Sequence, residues 1–598
     1  MPGPRGLVQK PKNMKKTALR FISEIKPWRK QLILTIVLSA VGVLLTVFGP
    51  MILGMMTTSA TTSIAEGKGI LWDEIIRLIV ILLSLYVVSG IIAYMQGFIL
   101  TRISAKLTKK MRTQILEKIS RLPVSYFDNV KIGDVMSRMT NDVEAVAGQL
   151  SNTINEIVTS VVMIIGILGM MLFISIPLSL VALITIPVSM ILAKRVAEKA
   201  QKHFRKQREV LGALNSKIEE DFTGQLIIKA NTHEEASIDE FNKTNELLCE
   251  SSWKAQFFGS LPFPITHVLT NIAYVFICVL GGWFAILGKI TIGNVQAFIQ
   301  YVNQFNRPIT QIAQLSATIQ QIAAAAERVY EFLDADEESV ETGNLTPILA
   351  QEVIGEVEFH DVSFSYDKEK TVISNFSAKI EPGMQVAIVG PTGAGKTTIV
   401  NLLMRFYEPD SGYITIDGKP IRDMKRNDVR KLFGMVLQDT WLFSDTIMNN
   451  LKYGAGKNIP DNEVRKAVKL VGIEHFIDSL PKGLNTVIDE DSDNISAGEK
   501  QLLTIARAMT QNPPMMILDE ATSNVDTRTE QMIQDAFSRL TKGRTSFVIA
   551  HRLSTIRNAD LILVMKNGNI VEQGKHDDLL RLNGFYAELY NSQFSDDE

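Results

Sequence analysis

The sequence is poor in cysteine, with only Cys249 and Cys278 among 598 residues. Two thiols are too few for a disulfide scaffold or a thiolate metal site, and a reducing environment is expected for the soluble part. A charge excess is also missing: 62 Lys and Arg stand against 64 Asp and Glu, a net of -2. Nucleic-acid binding, which shows as a basic surplus, is therefore not expected. Charge is absent altogether from several long runs, and this absence is the informative one. Residues 32–56 contain no ionisable side chain, a stretch long enough to cross a bilayer. Hydrophobic residues make up 46% and charged residues 21%, with a mean hydropathy of +0.12. An apolar part is thus joined to an ordinary soluble part, and the length suggests three or four domain-sized units.

Residues 1–30 carry Arg5, Lys10, Lys12, Lys15, Lys16, Arg20, Lys26, Arg29 and Lys30 against a single acid, Glu24. They show no signal-peptide cleavage pattern, so this start is expected to be retained. Leu19, Phe21, Ile22 and Ile25 fall on one side of a short helix, an amphipathic segment suited to a membrane surface. By the positive-inside rule the N-terminus is cytoplasmic. Further spans are expected at 78–100, at 157–193 as two crossings that turn near Pro177, at 255–287 and, wetter, at 290–326. Six crossings return the chain to the cytoplasm.

Two polar, helix-prone segments, 102–156 and 194–254, read as cytoplasmic extensions of the membrane helices. Each contains a break: Phe127 to Asp134, and Glu219 to Gly224. In the sixth span Gln296, Gln300, Asn303, Gln304, Arg307, Gln311 and Gln314 recur every three or four residues. A stripe of polar groups is costly against lipid, so it faces a wet cavity or bonds to a neighbouring helix. The expected organisation is an N-terminal segment at 1–31, a membrane domain at 32–330, an acidic linker at 331–352 and a soluble α/β domain at 353–598.

The soluble domain contains Gly390-Pro-Thr-Gly-Ala-Gly-Lys-Thr397. It fits G-x-x-x-x-G-K-[ST], in which backbone N–H groups cradle phosphates, the lysine reaches the β/γ oxygens and the hydroxyl takes Mg²⁺. Gly390, Thr392, Gly393, Gly395, Lys396 and Thr397 are therefore candidate nucleotide contacts, with Thr398 opening the helix that follows. Pro514 to Glu520 is an apolar strand ending in two acids. Asp519 is placed to support Mg²⁺ and Glu520 to polarise an attacking water. A further apolar strand ends at His551, which could hold the γ-phosphate and the water in register.

Taken together, the sequence resembles the half-transporters of the ABC exporters along nearly its whole length. The resemblance implies a multidomain chain: an all-α polytopic membrane domain of six transmembrane helices with long cytoplasmic extensions, then one α/β P-loop NTPase cassette. It implies that Tyr366 stacks on adenine, that Gln438 reaches Mg²⁺ and the water, and that His551 is the switch histidine. Ser523 to Asp526 matches a loop that crosses the dimer interface, and Glu490 an acid that contacts the opposite subunit. Asp128 to Asp134 and Glu219 to Gly224 match the two coupling helices that dock on the cassettes. Ser496 and Gly498 keep the signature position, which closes on nucleotide bound to the opposite subunit.

The signature departs from the family's Leu-Ser-Gly-Gly-Gln in having Ala497 and Glu499. The methyl intrudes where backbone must approach closely, and the carboxylate is unfavourable near a triphosphate if it points inward. The site completed by this signature is therefore expected to be impaired, whereas the chain's own nucleotide residues are intact. That asymmetry resembles the heterodimeric bacterial multidrug exporters and implies a second half-transporter with an ordinary signature. The implied activity is ATP-driven export of amphipathic or hydrophobic compounds from the cell membrane, with a lipid flippase as the alternative, and a homodimeric exporter or an ATP-gated channel or sensor less favoured. No protease domain precedes the first span in this sequence, so peptide export with leader cleavage is not expected.

Overall fold

A computed structural model describes residues 13–341, 345, 347–367, 370–438, 440–456, 458–488, 495–519, 527–550 and 553–594. The chain forms two compact units. One comprises residues up to 122 and 130–337, and the other Pro123–Asn129 with the residues from Glu338 onward.

The first unit is helical because long apolar runs with few breakers leave the backbone no other way to satisfy its hydrogen bonds in lipid. Helix Met14–Ile25 is followed by Arg29–Val47 and Gly49–Ala65, then by the 48-residue Trp72–Ile119. Helix Val143–Ile174 ends at Ser175, whose extended backbone reverses the chain, and Pro177 sits in the first turn of the next helix, Ile176–Thr223. This is the turn that Pro177 predicts. Helices Glu234–Ser260, Pro262–Ile286 and Ile292–Leu333 complete the unit. Among the described residues, four helical tracts are long and apolar enough to cross a membrane: Met14–Ala65, Trp72–Ile119, Ile132–Ile174 and Glu234–Ile286. Helix Ile176–Thr223 also opens on a charge-free run, residues 176–193.

Both predicted breaks are present. The long helix Trp72–Ile119 gives way to short helices Val124–Asn129 and Ile132–Ser137, and helix Ile176–Thr223 gives way at Gly224 to Gln225–Ala230.

The polar stripe divides between its two possible uses. Gln296 accepts a hydrogen bond from Thr57, and Gln311 accepts one from Ser160. Asn303, Arg307, Thr310 and Gln314, which share one helical face, are exposed in the chain. Near Gln296 two helices meet backbone to backbone: a methyl built on Gly293 would lie 1.8 Å from the Gly54 carbonyl oxygen, and the Thr58 hydroxyl donates to Thr291 at 3.0 Å. Small residues allow such approach where no hydrophobic drive joins helices. Gly293→Ala is therefore expected to destabilise this unit by about 1–3 kcal/mol, read as a lower melting temperature in detergent. Gly169→Ala, with nothing within 4 Å of the added methyl, should melt like the parent protein.

The second unit is built on two sheets. Strands β1 (Val357–Asp367) and β2 (Lys370–Ile380) are consecutive in the chain and pair antiparallel, and with β4 (Ser411–Ile416) and β5 (Lys419–Pro420) they form a sheet in the order β2-β1-β4-β5. This antiparallel layer goes beyond the mainly parallel core expected from the sequence. The parallel core is also present. Strands β3 (Gln385–Val389), β6 (Phe433–Val436), β7 (Met515–Asp519), β8 (Thr545–Ile549) and β9 (Leu561–Lys566) run parallel, with β10 (Asn569–Gly574) antiparallel at the edge, in the order β10-β9-β3-β8-β7-β6. The central strands are near-continuously buried, as sheets covered on both faces require.

Residues 338–341, which the sequence reading places in a linker, are tied to the second unit. Arg430 pairs with Glu338 at 2.8 Å, and Arg426 donates to the Ser339 carbonyl and hydroxyl and, through its backbone N–H, to Glu341.

Candidate functional site

Strand register brings the candidate residues to one edge of the parallel sheet. Ile388 pairs with Ile549, and Ile549 with Asp519, so β3, β8 and β7 end level with one another. Ligands in open α/β sheets gather outside the carboxyl ends of such strands. Gly390 follows β3 directly, Asp519 closes β7, and His551 comes two residues after β8.

Between β3 and helix Lys396–Leu403 the loop folds back on itself through Gly390 (φ 152°), Gly393 (φ 82°) and Gly395 (φ 100°). Side chains are excluded there as well as strained: a methyl on Gly390 would lie 2.3 Å from the Met565 carbonyl oxygen, and one on Gly395 2.6 Å from Ile373 Cδ1. Such a loop turns backbone N–H groups toward a common point, and the helix that follows favours anions there. Lys396 bends across the loop and donates to the Gly390 carbonyl at 2.6 Å and the Pro391 carbonyl at 3.2 Å. Burial holds its ammonium below the usual lysine range, while the Asp519 carboxylate acts in the opposite direction. That influence marks Asp519 as a neighbour of the loop lysine. Thr392 and Thr397 are exposed, whereas Thr398 is buried beneath them.

Tyr366, near the end of β1, is 44% exposed, so part of its ring surface is free for a flat ligand. Its hydroxyl donates to Thr398 Oγ1 at 3.2 Å and accepts from Asn401 at 3.2 Å. The platform is thereby fastened to the helix that opens at the phosphate loop. Asn401 carries no sequence signature of its own, and only the fold brings it beneath Tyr366. Gln438, just beyond β6, is exposed. Arg507 secures the stretch that follows: it donates to the Trp441 carbonyl at 3.0 Å and to the Asn450 carbonyl and side chain at 2.9 Å each. Arg507 lies on helix Ala497–Gln511, so the segment after Gln438 and the helix of the signature are held together.

Ser496 is the N-cap of that helix, and Gly498 is buried in its first turn. Glu499 turns back on the cap. The Ser496 N–H and hydroxyl both donate to Glu499 Oε2 at 2.8 Å, and the Glu499 N–H donates to the Ser496 hydroxyl at 3.3 Å. This is a reciprocal capping box. Glu490, Glu520, Ser523 to Asp526 and His551 lie outside the described residues.

The loop fits a nucleoside triphosphate by its excluded side chains, its lysine and its nearby aromatic platform. Thr397, Gln438 and Asp519 each carry a side-chain oxygen of the kind that a hard divalent cation takes. A phosphate-binding cassette continuous with an apolar helical unit defines a membrane protein that uses ATP to move material across the bilayer. Comparison with known proteins narrows this class. Residues 32–309 match the family model described as the ABC transporter transmembrane region, and residues 373–523 that of the ABC transporter. The chain is 42% identical over 527 residues to "Fatty acid ABC transporter ATP-binding/permease protein" of Mycobacterium bovis, covering 88% of this chain and 83% of the relative. It is 39% identical to the Bacillus subtilis ABC transporter ATP-binding protein YfiC, over 98% of this chain and 95% of the relative. With "ATP-dependent lipid A-core flippase" of Desulfotalea psychrophila it shares 36% identity over 88% of this chain and 91% of the relative. The chain belongs to the ABC transporters, as a half-transporter of the exporter type, and couples ATP hydrolysis to transport.

Proposed function

We propose that the chain is one half of a heterodimeric exporter of amphipathic, hydrophobic compounds, with one competent and one degenerate ATP site. The observation that carries the asymmetry is the contrast within the cassette: a phosphate loop with Lys396 and Asp519 in place, and a signature serine engaged by its own Glu499. In this reading Tyr366 stacks on adenine, and the N–H groups of the loop from Gly390 through Thr392, Gly393 and Gly395 to Thr398 hold phosphates together with Lys396. Thr397, Gln438 and Asp519 hold Mg²⁺. Glu520 takes a proton from the attacking water, and His551 keeps that water aligned. ATP with Mg²⁺ supplies the hydrolysable phosphoanhydride. Ser496 and Gly498 serve the nucleotide of the partner chain, whose ordinary signature completes the competent site here.

In the same reading the N-terminus and the cassette are cytoplasmic. Two cassettes closing on nucleotide would tilt the membrane halves as rigid bodies, provided nucleotide binds the closed form more tightly. The exposed face of Asn303, Arg307, Thr310 and Gln314 supports a wet translocation surface, since a polar face against lipid is costly. Lipid movement is a second reading, supported by relatives named for fatty acid transport and lipid A-core flipping.

Affinity purification from native membranes tests the assembly. A co-purifying half-transporter with Leu-Ser-Gly-Gly-Gln at its signature is the expected result, and recovery of this chain alone as a dimer would overturn it. ATPase stimulation of that complex by ethidium supports the export of drugs, whereas stimulation by palmitate alone supports lipid movement.

A further inference from the structure

Tyr407 lies just after the helix that follows the phosphate loop, and nothing in the nucleotide chemistry requires it. Its ring packs edge-on against Tyr366 at 5.0 Å and 88°, and against Phe364 at 5.4 Å. Phe364 in turn meets Tyr366 edge-on at 4.9 Å. The Tyr407 hydroxyl donates to the Asp128 carboxylate. Asp128 is on helix Val124–Asn129, which sits with the cassette although it is spliced into the helical unit at both ends. Burial and the Asp128 bond both push the phenol up, so at neutral pH it stays protonated and keeps its donor. The aromatic contacts are directional, because a ring edge is positive and a ring face negative. A base laid on Tyr366 therefore changes the surroundings of Tyr407, and the Tyr407 hydroxyl passes that change to Asp128.

We propose that Tyr407 is a positioning residue that links occupancy of the Tyr366 platform to the hold on helix Val124–Asn129. Base stacking fixes the Tyr366 ring, the fixed ring fixes Tyr407, and the Tyr407 hydroxyl then keeps Asp128 in place. The triphosphate charges the loop, while the base secures the segment that leads to the membrane helices. This rests on the reading of Tyr366 as the base platform, which the experiment below tests separately.

The test is hydrogen–deuterium exchange on the full chain in nanodiscs, following residues 124–129 and 390–398 with ATP and with inorganic tripolyphosphate. In the parent protein both ligands should slow exchange at 390–398, and only ATP should slow it at 124–129, by about tenfold, the size of one hydrogen bond to a charged group. Tyr407→Phe keeps the ring and removes the donor. It should retain ATP protection at 390–398 and lose it at 124–129. Asp128→Ala should do the same, and the double variant should be no worse than either alone. A Tyr407→Phe protein in which ATP still protects 124–129 overturns the proposal. So does additive loss in the double variant, which would mean two independent structural roles. Tyr366→Ala separates the two readings: if it binds ATP as tightly as the parent protein, the platform assignment itself is wrong.

Discussion

Glutamine in place of Glu520 is expected to slow ATP turnover about a hundredfold or more, the contribution of a general base, while ATP still binds. Glu520 follows β7, whose last residue, Asp519, acts on Lys396 of the phosphate loop. The amide is nearly isosteric with the carboxylate, so binding geometry persists, but it cannot accept the proton of an attacking water. Phosphate release from the purified complex measures the effect, and binding of a fluorescent ATP analogue checks that the site is still formed. Lys396→Ala should behave differently, since it removes a cation from the triphosphate and weakens binding itself. If Glu520→Gln retained turnover, hydrolysis at this site would have to depend on another base.

Restoring the family signature, by Ala497→Gly together with Glu499→Gln, is expected to raise the ATPase rate of the chain expressed alone by about tenfold, the size of one charge-assisted hydrogen bond. From the sequence, the harm done by Glu499 is expected to be repulsion of a triphosphate. The capping box adds a different cause. Glu499 Oε2 takes up both the N–H and the hydroxyl of Ser496 at 2.8 Å, so the serine is occupied within its own helix. Glutamine can still accept at the cap but carries no charge, and it competes less strongly for the hydroxyl. Steady-state hydrolysis by the double variant, compared with each single change, apportions the effect between methyl and carboxylate. An unchanged rate would show that the signature is not what limits these sites.

The phosphate loop was legible because its glycines are needed for backbone reasons that hold in any context: Gly390, Gly393 and Gly395 all adopt positive φ. The membrane helices were legible because the lack of charge in lipid is a bulk property of a run. The reversal at Ser175 was legible through Pro177. Asn401 and Arg507 were not, since a lone amide or guanidinium has no meaning until the fold gives it a neighbour. Glu499 was half legible. Its charge is plain in the sequence, but its direction depends on a side-chain torsion that no spacing encodes.

The residue string by itself determined a class of protein: uncharged runs that only helices can carry through lipid, then a glycine loop that only a phosphate ligand explains. Tertiary structure decided what those parts are attached to. It divided the polar stripe between Thr57 and Ser160 on one side and open surface on the other, and it joined Tyr366 to Asp128 through Tyr407. The physical reason is range. Backbone conformation and solvation are set by near neighbours in sequence, whereas directional contacts between side chains hundreds of residues apart exist only once the chain has packed.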